Sequence, residues 1–208
     1  MSLMPQWQAL LEQPLAFVDR RHLRRCFAEN VAGAQLQALI ESPRFQARLQ
    51  ALMLAHFQLQ PLDQVSQPTE QDLPVLLLAP QDFARLPRLC GAIWHGATLG
   101  REIRREVVEH LRQGLGHEVF GLAIAHRQWG GAMDLLRQPD DLLAAIDHDG
   151  ARCVQAWLDE QPADLRDWLQ LRLPLPVAEG SASLADPGIV RRVAALLMPL
   201  SENREGAR

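Results

Sequence analysis

Lysine and tyrosine are missing altogether from this 208-residue chain; all 21 basic residues are arginine. Without lysine there is no Schiff-base chemistry and no phosphate-cradling loop of the kind that depends on a lysine. Cysteine is scarce. Cys26, Cys90 and Cys153 stand alone, with no CxxC and no pairing pattern; two of them lie on predicted apolar helix faces, which suits reduced, buried thiols in a cytosolic protein. A basic excess is absent as well: 25 acidic residues against 21 arginines leave a net charge of −4 and an isoelectric point near 6.0. A general nucleic-acid binder, which draws its affinity from excess basic charge, is therefore not expected. No stretch approaches the roughly 20 apolar residues of a membrane span. The opening Met-Ser-Leu-Met-Pro-Gln-Trp lacks the basic start and apolar region of a signal peptide. The expectation is a soluble chain that stays where it is made.

What is present can build a core: 48% of residues are hydrophobic and 22% charged, enough for one large domain or two small ones. Helical periodicity dominates. Residues 14–29 carry an apolar stripe through Leu15, Val18, His22 and Cys26, and residues 32–42 carry Leu36, Leu39 and Ile40. Ser42-Pro43 reads as an N-cap with proline at the first helical position. From Pro61 to Pro80 the pattern breaks into a polar, proline-punctuated loop with an apolar piece, Val75 to Ala79, packed into the core. A hinge at 61–80 is the place to divide the chain if residues 1–208 form two lobes rather than a single domain.

Leu86, Leu89, Cys90, Ile93, Trp94 and Ala97 fall on one helix face. Pro87 either lies near the start of that helix or kinks one begun at Asp82. A second helix over 100–113 stacks Leu99, Ile103, Val107 and Leu111 and ends at Gly114 and Gly116. Further helices are expected over 117–129 and 140–160, followed by a short one through Trp168. Asp186-Pro187 caps a last apolar helix, with a charged tail after Ser201 that frays. Between Leu169 and Pro176 leucines alternate with other residues, a period of two that predicts a short extended edge segment. The fold class is an all-α, irregular multi-helix domain with that one extended piece at 169–176.

Seven histidines invite a metal or catalytic reading, but no HExxH occurs, and His95, on the helical wheel, faces away from its apolar stripe. His110 and His117 are separated by a glycine-broken segment. Asp147-His148-Asp149-Gly150 begins like a calcium loop yet lacks the bidentate glutamate at its twelfth position, which is Leu158. No nucleophile elbow or glycine-rich phosphate loop is found. No catalytic residue, cofactor or metal is therefore expected.

The sharpest charge features are two arginine clusters: Arg20, Arg21, Arg24 and Arg25 near the N-terminus, and Arg101, Arg104, Arg105 and Arg112 in the middle. Each reads either as a docking patch for an acidic partner or as a solvated helix face; arginines at a helix C-terminus also complement its dipole.

Leu86-Pro-x-Leu-Cys-Gly91, His95-Gly96 and the Arg101-Glu-Ile-Arg-Arg105 run together resemble the type III secretion SctK family, whose branches include YscK/PscK and OrgA/MxiK. A second patch agrees: Leu171-Arg-Leu-Pro-Leu175, then a loop and an apolar helix ending Leu197-Met198-Pro199. The resemblance covers residues 80–200 and, by size and helicity alone, the rest. It implies a non-enzymatic, mostly helical cytoplasmic adaptor of the sorting platform, peripheral to the inner membrane. Such an adaptor links the forkhead-associated-like cytoplasmic domain of the SctD-type ring protein to the SctQ-type pod protein. Through the pods it reaches the SctL-type stator and the SctN-type ATPase. The docking surface expected for such partners is polar and arginine-containing. Two rivals remain: a secretion chaperone, which would expose an apolar groove and dimerise, and a small helical hydrolase built on His110 and a neighbouring carboxylate.

Overall fold

A computed structural model describes residues 3–27, 33–132, 138–173 and 186–205, all helix, turn or loop with no strand among them. The described residues fall into two compact units interleaved along the chain. The first comprises residues 1–84 and 161–176, the second 85–160 and 177–208. Residues 61–80 lie inside the first unit.

The first unit begins with α1 (Met4–Leu11) and α2 (Pro14–Phe17), and each has proline in its first turn. The apolar stripe expected over 14–29 does not form one helix. Val18 turns extended and Asp19 opens a new helix, α3 (Arg20–Arg25), by accepting from the Arg21 backbone N–H. α4 (Gly33–Glu41) follows, and α5 (Pro43–Phe57) starts as its Ser42-Pro43 signal indicates, although the Ser42 hydroxyl makes no capping bond. A 3-10 turn at Leu62–Gln64 and the single-turn α6 (Leu73–Leu76) occupy the proline-punctuated stretch. Val75, Leu76 and Leu78 are buried as expected.

The core of this unit is aromatic. Trp7 meets Phe17 edge-on at 6.0 Å, and Phe17 meets Trp168 at 6.3 Å, a geometry that suits the ring quadrupoles. Trp168 sits on α12 (Ala163–Gln170), the returning segment, and its indole N–H donates to the Gln60 carbonyl at 2.9 Å.

The extended segment expected over 169–176 is not extended where it is described. Leu169 and Gln170 complete α12, and residues 171–173 form turns whose N–H groups bond back to Trp168, Leu169 and Gln170. Residues 174–176 lie outside the described set. The period of two does not mark a strand here, because Arg172, in step with the polar positions, is only 5% exposed. Its guanidinium lies between the Phe17 and Phe83 rings, 4.5 and 4.3 Å from their centroids, and donates to the carbonyls of Leu76 and Leu78. Burial drives its pKa down to about 9, still above neutral pH, so it keeps its charge. Two carbonyls and two π-faces solvate that charge in place of water.

α7 (Pro80–Trp94) starts ahead of Pro87 and runs through it. In the second unit α7 crosses α11 (Pro139–Asp159) at backbone contact. A Cβ on Gly150 would fall 1.8 Å from the Pro87 carbonyl oxygen, and one on Gly91 would fall 1.9 Å from that of Ile146. Cys90 and Cys153 are buried beside these two glycines. α11 also packs on α13 (Pro187–Glu205), whose first turn is capped by Asp186 accepting from the Gly188 N–H at 2.8 Å. The α13 backbone stays helical to Glu205, past the Ser201 at which fraying is expected.

The helix expected over 100–113 is two helices, α8 (Gly96–Arg101) and α9 (Arg105–Leu115), separated by Glu102, Ile103 and Arg104. Gly116, at φ 86°, a conformation glycine adopts without strain, turns the chain into α10 (His117–Ala125). A 3-10 turn at Arg127–Trp129 follows α10 in place of the longer helix expected to 129. Among the described residues no helix is long and apolar enough to cross a membrane.

Candidate interaction surface

The histidines bear on a catalytic or metal reading, and their positions differ from the helical-wheel expectation. His95, off the apolar stripe of its own helix, is nonetheless 2% exposed, because the elements around α7 bury more than that one stripe. It sits at the junction of α7 and α8, and its Nε2 meets Asp149 of α11 at 2.9 Å. The neighbouring His148 reaches the other oxygen of the same carboxylate at 3.1 Å. Burial alone would raise the Asp149 pKa; the hydrogen bonds and charges of His148 and His95 together outweigh it, holding the carboxyl below its usual range. His110 pairs with Asp140 at 2.7 Å, with both side chains largely exposed. Among the described residues no group of three or more His, Cys, Asp or Glu is arranged to hold a metal ion. The three thiols are free. Burial pushes Cys153 up to about 11 and Cys90 well above the usual thiol value, so neither carries an activated thiolate.

The arginine clusters lie one in each unit. In the first, α3 exposes Arg20, Arg21, Arg24 and Arg25 while burying His22 and Leu23. The His22 Nε2 meets the Leu173 carbonyl at 2.9 Å, anchoring the helix by its buried face. The four charges differ in what explains them. Arg24 and Arg25 stand in the last turn, where cations complement the helix dipole. Arg21, at the opposite end, is neutralised by a two-point contact with Asp19 at 3.0 and 2.8 Å, which lowers the Asp19 pKa. Arg20 has neither support: it stands at the positive end of the helix, with no carboxylate partner among the described residues.

Arg20 and Arg21 form one lip of an open groove of about 930 Å3. Its walls are built from α2, α3, the α4–α5 corner and the first turns of α7, and its lining includes Ala16, Leu23, Ile40, Pro43, Pro80 and Ala84. The three lining glutamines, Gln13, Gln46 and Gln81, add polar groups without charge.

In the second unit Glu102 is the organising residue. One of its carboxylate oxygens accepts from the Arg104 backbone N–H and Nε, both at 2.9 Å; the other accepts from Nη2 at 2.7 Å. The Arg104 guanidinium holds the Glu102 carboxyl down to about 2. This closed fork fixes both residues in extended conformation, ends α8 and starts α9. It also thrusts Ile103 out, 90% exposed, between Arg101 and the exposed Arg104 and Arg105. Arg105 occupies the first position of α9, where the dipole disfavours a cation; Glu106 beside it offsets that cost. Arg112 does not join the others. It is half-buried two turns along α9, 5.3 Å above the Phe120 ring and 4.0 Å from Glu109.

By its spacing from Leu99 and Val107, Ile103 is expected on the apolar face of one helix over 100–113. The signal against that was available: five charged residues surround this one apolar residue in Arg101-Glu-Ile-Arg-Arg-Glu106. The groove had no sequence signal, since its walls come from segments separated by as many as 70 residues.

No protein-family model matches the chain, and no solved structure matches it. It is similar to the nodulation protein NolU of Rhizobium fredii and to the nodulation protein NolU of Sinorhizobium fredii (strain NBRC 101917 / NGR234). In each case the two are 34% identical over 102 residues, 49% of this chain and 48% of the relative. The similarity spans about half the length of these curated relatives.

Proposed function

We propose that this protein is a non-enzymatic adaptor of a bacterial type III secretion sorting platform, held at the cytoplasmic face of the inner membrane by its partners. In this role it links the cytoplasmic domain of the SctD-type ring protein to the SctQ-type pod protein, and through the pod to stator and ATPase. The observation that carries the reading is the pair of exposed arginine patches, one in each compact unit, on a chain whose net charge is negative. An adaptor needs two addresses, and a cationic patch on an acidic protein steers an acidic partner to one place. The similarity to NolU supports a bacterial setting.

Co-purification with the ring-protein domain and with the pod protein, separately, tests the reading; binding to neither overturns it. Charge reversal at Arg21 and Arg24, and separately at Arg101 and Arg105, assigns the surface. At least one pair should abolish capture of the ring protein, and unchanged capture in both removes the arginines from that contact. A secretion chaperone is the second reading, favoured by the open groove beside α3. It requires a dimer in light scattering, whereas the adaptor reading expects a monomer.

A further inference from the structure

We infer that the groove of the first unit is a docking site for an acidic amphipathic helix of a partner protein. The inference goes beyond the adaptor reading and does not depend on which machine the protein serves.

The shape comes first. At about 930 Å3 the groove is near the upper end of small-molecule sites, roughly 300–1,000 Å3. Its chemistry does not suit a small ligand, which is oriented by a few convergent charged or polar groups in an enclosed site. The lining here is mainly aliphatic, and the charged side chains lie at one lip. Ala16, Pro43 and Pro80 face solvent and Ile40 and Ala84 are half-covered, so apolar surface is left open along its length. Small residues and prolines on the walls admit the larger side chains of an incoming helix, whose leucine-type anchors at i, i+3/i+4 and i+7 fill such a trough.

Charge selects among the helices that would fit. α3 carries four arginines, and the carboxylate that precedes it, Asp19, is already engaged by Arg21. Arg20 lines the lip, and Arg24, spaced i, i+4 from it, continues a row along exposed α3 beyond the groove, about 6 Å away. Neither has a carboxylate partner among the described residues. That row matches carboxylates spaced i, i+4 beside the apolar stripe of a docked helix. A basic or uncharged amphipathic helix fills the same trough and leaves this row unpaired.

The test is a display selection of helical peptides on the immobilised full-length chain. Enriched sequences should combine apolar residues at i, i+3/i+4 and i+7 with Asp or Glu alongside, and a fluorescein-labelled representative should bind in anisotropy titrations. Ala16→Trp fills the trough while leaving every arginine in place, and should weaken that peptide at least tenfold. Pro43→Glu gives a second variant that stays folded, because an acid in the first turn of α5 favours the helix dipole; its charge should repel the peptide. Three results overturn the inference: enriched peptides without acidic residues or without helical spacing, binding to both variants as tight as to the parent chain, or a dimer of the parent chain that Ala16→Trp dissolves, which would make a second copy the occupant. The two variants alter the groove alone, so their effect on the peptide can be absent while ring-protein and pod-protein capture persists, and the reverse.

Discussion

The two units solve the same problem, packing short helices without long hydrophobic runs, by opposite means. The first uses large, shaped side chains. Trp7, Phe17 and Trp168 stack edge to face, and a buried guanidinium holds the turn at Leu76–Leu78. The second removes side chains where helices cross, bringing α7 and α11 to backbone contact at Gly91 and Gly150. A core of the first kind depends on hydrogen bonds that a substitution leaves unsatisfied. A core of the second kind depends on space that a single methyl group fills. The first fails by loss and the second by addition.

The largest expected effect tests the second unit. Gly150→Ala puts a methyl where the Pro87 carbonyl stands 1.8 Å away, so the helices must separate. The expected loss is about 3 kcal/mol or more, read as the urea midpoint, with hydrogen exchange lost first in residues 85–160. Uniform loss of protection in both units would break the comparison. Arg172→Ala tests the first unit in the other direction. It leaves the Leu76 and Leu78 carbonyls without donors and opens space between two rings, costing about 2–4 kcal/mol. Exchange protection should then fall first in residues 3–84 and 161–173.

A smaller effect is expected from acid. Asp149 titrates below its usual value of 3.8 in the folded chain, so its contribution is fully present above that pH. It is lost as pH falls below 3.8 through the lower folded value. Asp149→Asn should flatten this acid limb in urea titrations between pH 5 and 3, and an unchanged limb would remove the His95–Asp149 pin from the stability of the second unit. The smallest effect on folding belongs to Ile103→Glu. At 90% exposure the change should stay within about 0.5 kcal/mol in thermal melts. A larger loss would mean that Ile103 supports the α8–α9 corner rather than standing free as a surface anchor.

Elements whose ends are fixed by local chemistry were readable from the residues alone: Ser42-Pro43, Asp186-Pro187 and Gly116 each mark a real boundary. The all-α class followed from periodicity. Errors arose where a charged side chain found its partner unusually near or unusually far away. Glu102 and Arg104 are two residues apart, and their fork breaks a helix that the leucine spacing had continued. Arg172 and Leu76 are 96 residues apart, and their bond holds a turn where the alternation predicts an extended segment. His95 and Asp149, separated by 54 residues, belong with the second case. The arginine clusters themselves were legible as composition; which charges are already neutralised depended on those partners.

The thiols carry a practical consequence. Cys26, half-buried at the end of α3, stands in the first unit, whereas Cys90 and Cys153 are sealed at the α7–α11 crossing in the second. An alkylating reagent added to the native protein should therefore mark position 26 early. The other two should follow only as fast as the crossing opens, so the chain carries its own clock for the breathing of one unit and an internal standard in the other.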